Sequence, residues 1–247
     1  MRRRHVITLV TVLATAATLA LTGSVVGPVA SSDASPGRYQ WRADLDAAST
    51  AIPTAAQSSV QTQAKSLIRA RASNTKATAV AAASTNCDGC SGEATTLQIV
   101  YFDGSGPVTA DNVANAISQC SGCSAPVTTS AVSVQVVIAR KADQLIVNNR
   151  GVAVNVECAG CQTSSTALQF VLVGGSRRDL SAAAKDLIGQ LQDVLAGKVA
   201  TAAQAPPAQA RASAEAETTS IADQLQAILV QDTGSTTVQR YIDVQVG

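Results

Sequence analysis

Aromatic residues make up only 2% of this 247-residue chain, with a single Trp and a single Met. It also has only one His, His5, near the amino terminus. The low aromatic count removes the stacking platforms that single-stranded nucleic-acid binders use. With 18 Lys and Arg against 17 Asp and Glu, it also lacks the basic excess that phosphate binding needs, so no nucleic-acid partner is expected. Without an imidazole beyond His5, Ser/His/Asp and Cys/His triads and HExxH zinc sites are excluded, leaving carboxylate, Lys, Tyr or Cys chemistry. Charged residues are only 14% of the chain, whereas 46% are hydrophobic. That is enough to bury a core, and the length suits one domain with flexible flanks.

What is present begins with targeting. Arg2, Arg3, Arg4 and His5 precede an uncharged Ala/Thr/Leu/Val run from Val6 to Leu21, followed by Gly23, Pro28 and small residues to Ala34. A basic start, an apolar centre and a small-residue exit predict a secretory signal peptide over 1–34, cleaved near Ala30 or after Ala34. The alternative is retention as an N-terminal anchor, since Val25 and Val26 extend the apolar run. No other stretch is apolar and long enough to span a bilayer as a helix. The product is expected to be exported, to the extracellular medium or the cell envelope.

Three Cys-x-Gly-Cys units, Cys87–Cys90, Cys120–Cys123 and Cys158–Cys161, use every cysteine in the chain. Shifting the sequence on itself by 71 residues aligns Cys87 with Cys158 without a gap through Cys120, matching Leu97 to Leu168, Gln98 to Gln169, Val100 to Val171 and Ile117 to Ile188. This predicts an internal duplication, with the middle unit a partial copy. Each unit leads into an apolar, β-branched stretch, Leu97 to Phe102, Val132 to Ile138 and Leu168 to Val173, read as strands. Gln98, Gln135 and Gln169 then occupy equivalent positions, expected on half-exposed faces where Gln tolerates water.

Further strands are expected at Ala77 to Ala83 and at Val152 to Val156. The latter joins Leu145-Ile146-Val147 through a hairpin turn at Asn148-Asn149-Arg150-Gly151. Thr109 is expected to cap a helix carrying Val113, Ala116, Ile117 and Cys120. Asp179 or Ser181 should cap a longer one that ends at Gly197. The predicted fold is α+β, a mainly antiparallel sheet of hairpin-connected strands with helices on one face and Cys-x-Gly-Cys loops between strands. Around this domain, 75–198, lie a flexible or helical segment at 35–74 and an Ala/Pro/Gln-rich linker at 199–217. The first of these includes Tyr39, Trp41 and a helix after Pro53 bearing Val60, Ala64, Leu67 and Ile68. A C-terminal helix and strand at 218–247 are expected to pack on the main domain.

Six cysteines allow 15 connectivities. Export favours disulfides, and repetition as intact pairs favours local closure of Cys87 with Cys90, Cys120 with Cys123 and Cys158 with Cys161. Rings this small contribute on the order of 2 kcal/mol each, stiffening loops more than holding a fold together. A redox-active Cys-x-x-Cys and a zinc site from two pairs are the sharper alternatives. Against them, no pair follows a strand and opens a helix, and the spacings between pairs exceed those of zinc ribbons. No cofactor, metal or catalytic residue is expected. The leading reading is an exported, disulfide-stabilised, non-enzymatic protein with an unknown protein or envelope partner, followed by a thiol–disulfide oxidoreductase.

Asn86-Cys-Asp-Gly-Cys90 with Thr96-Leu-Gln-Ile-Val100, and Val154-Asn-Val-Glu-Cys158 with Ala167-Leu-Gln-Phe-Val171, carry a family resemblance. They resemble the extracytoplasmic cysteine-repeat region of actinobacterial membrane-bound peptide zinc metalloproteases. The likeness covers about residues 77 to 196. It implies a freestanding exported version of an accessory domain and, as a third reading, an accessory or regulator of a membrane protease. This chain has neither HExxH nor a transmembrane bundle, so the peptidase chemistry does not carry over.

Overall fold

The computed structural model describes residues 45–71, 75–141, 144–175, 179–235 and 237–247. The expected signal peptide, His5, Tyr39 and Trp41 lie outside the described residues. The chain winds as a parallel β-solenoid of four rungs, each a pair of strands joined at a corner. The rungs are β1 (Asp46–Ala51) with β2 (Ser59–Arg71), β3 (Thr75–Thr85) with β4 (Ser91–Asp103), β5 (Val108–Gln119) with β6 (Val127–Ala139), and β7 (Leu145–Val156) with β8 (Cys161–Val173). Odd strands stack in parallel as sheet B, in the order β1-β3-β5-β7. Even strands stack as sheet A, β2-β4-β6-β8, extended by β9 (Thr237–Val246), which runs antiparallel to β8.

The alternation of side chains explains why two sheets form. The inner face of sheet B carries the buried Ala77, Ala79, Ala81 and Ala83, then Ala110, Ala114 and Ala116; of these, Ala81, Ala83, Ala114 and Ala116 pack with Ala94, Ala131 and Ala167 of sheet A. Toward the cysteine corners the core between the sheets is thus built of small side chains. At the opposite end, Leu45, Ile68, Val100, Phe102, Val137 and Val171 join Ala77 and Ala110 in a core of larger side chains. Sheet A is apolar on its other face as well, through Leu97, Ile99, Tyr101, Val134, Val136, Leu168 and Phe170, and two helices cover it. These are α1 (Ala182–Ala202), whose N-cap Ser181 accepts the Ala184 N–H, and α2 (Pro207–Thr233). Pro207 opens α2, where its missing N–H costs nothing, and Gly234, at φ 66°, closes it in the left-handed conformation. Ile188, Leu195, Val199, Ile221, Leu225 and Leu229 complete this second core.

The fold overturns the antiparallel expectation. Strands adjacent in space are a whole rung apart in sequence, Leu97 beside Val134 and Val134 beside Leu168, so the 71-residue shift spans two rungs. Alternation marks a half-buried strand but not the direction of its neighbour, and turn chemistry alone does not make a hairpin. Asn148-Asn149-Arg150-Gly151 is not a turn and lies inside β7. The helix expected from Thr109 is β5, and the one after Pro53 is β2, part of the first rung. Both errors have one cause: Ala is apolar enough to complete a three-and-four spacing yet belongs here to a two-residue alternation. The segment read as a linker, 199–217, is helical except at 203–206. Its Ala, Gln and Glu content suits helix as well as linker, and the buried Ala210 and Ala214 anchor it.

Candidate functional site

The three Cys-x-Gly-Cys units form the corners of successive rungs, each following a strand of sheet B and leading to one of sheet A. Each closes locally, Cys87 to Cys90, Cys120 to Cys123 and Cys158 to Cys161, across Cα–Cα distances of 5.4, 5.7 and 5.4 Å. Gly89 and Gly122 take positive φ, 67° and 75°, which a side chain resists. In the third corner the positive φ falls instead on Glu157. No pair opens a helix, so the helix-terminus device that lowers a thiol pKa is not built here.

The corners differ in one way that the sequence makes visible. Cys90 and Cys161 lead directly into strands, whereas Ser124, Ala125 and Pro126 intervene between Cys123 and Val127. Asp88 of the first corner holds this extra segment. Its carboxylate accepts the Ser124 N–H at 3.0 Å, the Ala125 N–H at 2.7 Å and the Ser124 hydroxyl at 2.7 Å. These donors, the Ala125 amide foremost, lower the Asp88 pKa below the ordinary carboxylate value. A lowered folded-state pKa stabilises above the unfolded value, and that contribution disappears as pH falls through the folded one. Asp88→Asn is therefore expected to reduce stability at neutral pH, with the difference from wild type vanishing in acid. Parallel urea titrations at neutral and strongly acidic pH check this.

Behind the corners the interior is polar, and most of its side chains are paired, Gln169 Oε1 being an exception. Thr85, Ser118, Thr129 and Thr163 are buried, with Ser118 Oγ 2.6 Å from Thr129 Oγ1 and 2.8 Å from Thr163 Oγ1. Thr129 in turn donates to Thr85 at 2.7 Å. Further along the rungs, Gln98, Gln135 and Gln169 are fully buried, not half-exposed as their polarity suggested. Gln169 Nε2 donates to Gln135 Oε1, and Gln135 Nε2 donates to Gln98 Oε1 at 2.6 Å. Gln98 Nε2 ends the chain on the Leu45 and Thr78 carbonyls. In sheet B, Asn112 Nδ2 lies 2.8 Å from Asn149 Oδ1 and also reaches the Ser133 and Leu168 carbonyls across the core, both at 3.1 Å. Sequence reasoning placed the Gln residues at equivalent positions but missed the Asn pair. The usable clue was that Asn112 and Asn149 are separated by the same 37 residues as Leu97 and Val134.

Charged side chains engage one another. Arg69 bridges Asp103 at 3.0 Å and Asp179, with its guanidinium over the Tyr101 ring. Lys76 pairs with Asp111, which also accepts from Asn148 at 2.6 Å. Although burial of Asp111 opposes ionisation, the donors Lys76 and Asn148 hold its pKa below the ordinary value. A shallow cleft of about 260 Å³ lies between the edge of sheet A and α1, lined by Gln61, Gln63, Glu93, Thr95 and Asp193 among others. Within it Gln61 donates to Glu93 at 3.0 Å and Gln63 to Asp193 at 2.7 Å. Among the described residues, no three His, Cys, Asp or Glu side chains gather into a metal-binding group. Nor is any described helix long and apolar enough to cross a membrane. No family model, curated protein or solved structure matches the chain.

Proposed function

We propose that this is an exported, non-enzymatic protein of the cell envelope or extracellular medium, a stiff solenoid whose disulfide-closed corners and flat faces present a binding or structural surface. The observation that carries this reading is the placement of all six cysteines. They form three local disulfides, one at each of three successive corners, joining strand to strand. Disulfides persist in oxidising compartments, consistent with the basic and apolar leader. Pairing of Arg69, Lys76, Asp88 and Asp111 with structural partners favours a scaffold over a catalyst. The resemblance to protease-associated cysteine repeats fits the same reading, as an accessory domain standing alone.

The test is mass spectrometry of protein recovered from culture medium or envelope, alkylated before and after graded reduction and mapped across the six cysteines. Three local bridges that resist glutathione buffers are expected. Reduced cysteines in the exported protein would overturn the proposal. A pair that opens between roughly −120 and −270 mV would favour thiol–disulfide exchange on other exported proteins instead.

A further inference from the structure

Parallel sheets ordinarily have both faces covered. In sheet A the helices supply this cover, whereas no described residue covers the outer face of sheet B. That face is apolar mainly toward the cysteine end; toward the other end Thr78, Asp111 and Asn148 form a row, and Ile146 shares the next with Lys76 and Thr109. Ile52, Ile117, Ile146, Val154 and Val156 are 51, 41, 45, 39 and 38% exposed, with Val80, Val113 and Val152 half-buried among them. The parallel register sets Ser84, Ile117 and Val154 in one row, with Ile52 just beyond Ala51 at its end. The next rows are Thr50, Ala82, Asn115 and Val152, then Ala48, Val80, Val113 and Arg150. Asp46, Lys76 and Asp111 lie toward the end away from the cysteines.

We propose that this face binds the same face of a second copy, so that two B sheets pack as a sandwich in a two-fold dimer. The inference goes beyond the scaffold reading and stands without it. Four strands about 4.8 Å apart and about ten residues long offer a footprint of roughly 600 Å². The accessible area is larger, approaching the ~800 Å² per partner of a stable interface. Two-fold symmetry allows two face-to-face arrangements with aligned strands. An axis perpendicular to the strands lays the isoleucine row over the charged end. An axis parallel to them keeps each row on itself and sets β1 over β7 and β3 over β5. Then Ile117 meets Ser84, Ile52 meets Val154, and Arg150 reaches Ala48 beside Asp46 of the second copy. Apolar rows then lie on apolar rows and the cation approaches a carboxylate, so the parallel axis is the arrangement assigned.

Sedimentation velocity of the full oxidised chain over a wide concentration range tests this. A reversible dimer is expected. Ile117→Lys should raise its dissociation constant about a hundredfold. Arg150→Glu should raise it about tenfold, with the larger effect at low salt. Val230→Lys, an exposed apolar position on α2, should leave it unchanged. Unaltered circular dichroism and melting temperature identify each variant as folded. A wild-type chain that stays monomeric throughout overturns the proposal, including the case where residues preceding Leu45 cover the face and Ile117→Lys lowers the melting temperature. So does a dimer that folded Ile117→Lys leaves intact.

Discussion

Gln135→Ala is expected to lower the unfolding free energy by about 3–5 kcal/mol, measured by urea denaturation of the oxidised protein. Gln135 is the central member of the buried ladder, accepting from Gln169 and donating to Gln98 Oε1. It also donates to the Asp111 carbonyl at 3.2 Å and the Ala77 carbonyl at 3.4 Å. Truncation strands the Gln169 amide N–H and the Gln98 carbonyl oxygen away from water, and leaves a cavity where the side chain lay. Networks of this kind polarise one another, so losing the middle costs more than losing an end. Gln169→Ala serves as the comparison, because Gln169 is the terminal donor and its Oε1 has no hydrogen-bond partner among the described residues. Its expected cost is smaller than that of Gln135→Ala, and an equal or reversed order would show that packing volume, not the ladder, sets the stability there.

Arg69→Met is expected to cost about 2–3 kcal/mol and to loosen α1 from sheet A before the solenoid itself unfolds. The Arg69 side chain is only 11% exposed and holds Asp103 of its neighbouring strand together with Asp179 at the entrance to α1. Tyr101, under the guanidinium, accepts the Leu180 N–H at 3.0 Å. One residue further on, Ser181 donates its N–H and hydroxyl to Asp232 near the end of α2, at 2.7 and 2.8 Å. Removing the cation leaves two partly buried carboxylates without their shared partner, while Met retains most of the packing volume. Because both carboxylates keep about a third of their surface in water, the cost lies below that of a fully buried pair. Hydrogen exchange should show the amides of α1 losing protection ahead of those of β6. Uniform loss across the chain would mean that helices and solenoid form one cooperative unit.

These two sites also show how far the sequence reaches. The strand segments after each cysteine pair were legible because β-branched runs between polar loops leave few alternatives, and the equivalence of Gln98, Gln135 and Gln169 followed from aligning the repeats. Their burial was not legible, since one Gln in isolation is best solvated. Only a rung above and below supplies each amide with a partner at the spacing of neighbouring strands. Likewise β5 reads as a helix from Val113, Ala116, Ile117 and Cys120 until its neighbours fix the alternation that places Ala114 and Ala116 inside and Ile117 outside. Arg69 gave no local clue, because Asp103 and Asp179 reach it from distant points of the chain.

By itself the sequence determined that the cysteines come as three repeated pairs, that strands follow them and that imidazole chemistry is absent beyond His5, since these depend on residue types and their spacing alone. The tertiary structure decided that the strands run parallel, that the glutamines face inward and that no described residue covers the outer face of sheet B. Each of these depends on which distant strand lies alongside, and the two-residue alternation of a β-strand is the same whichever direction its neighbour runs.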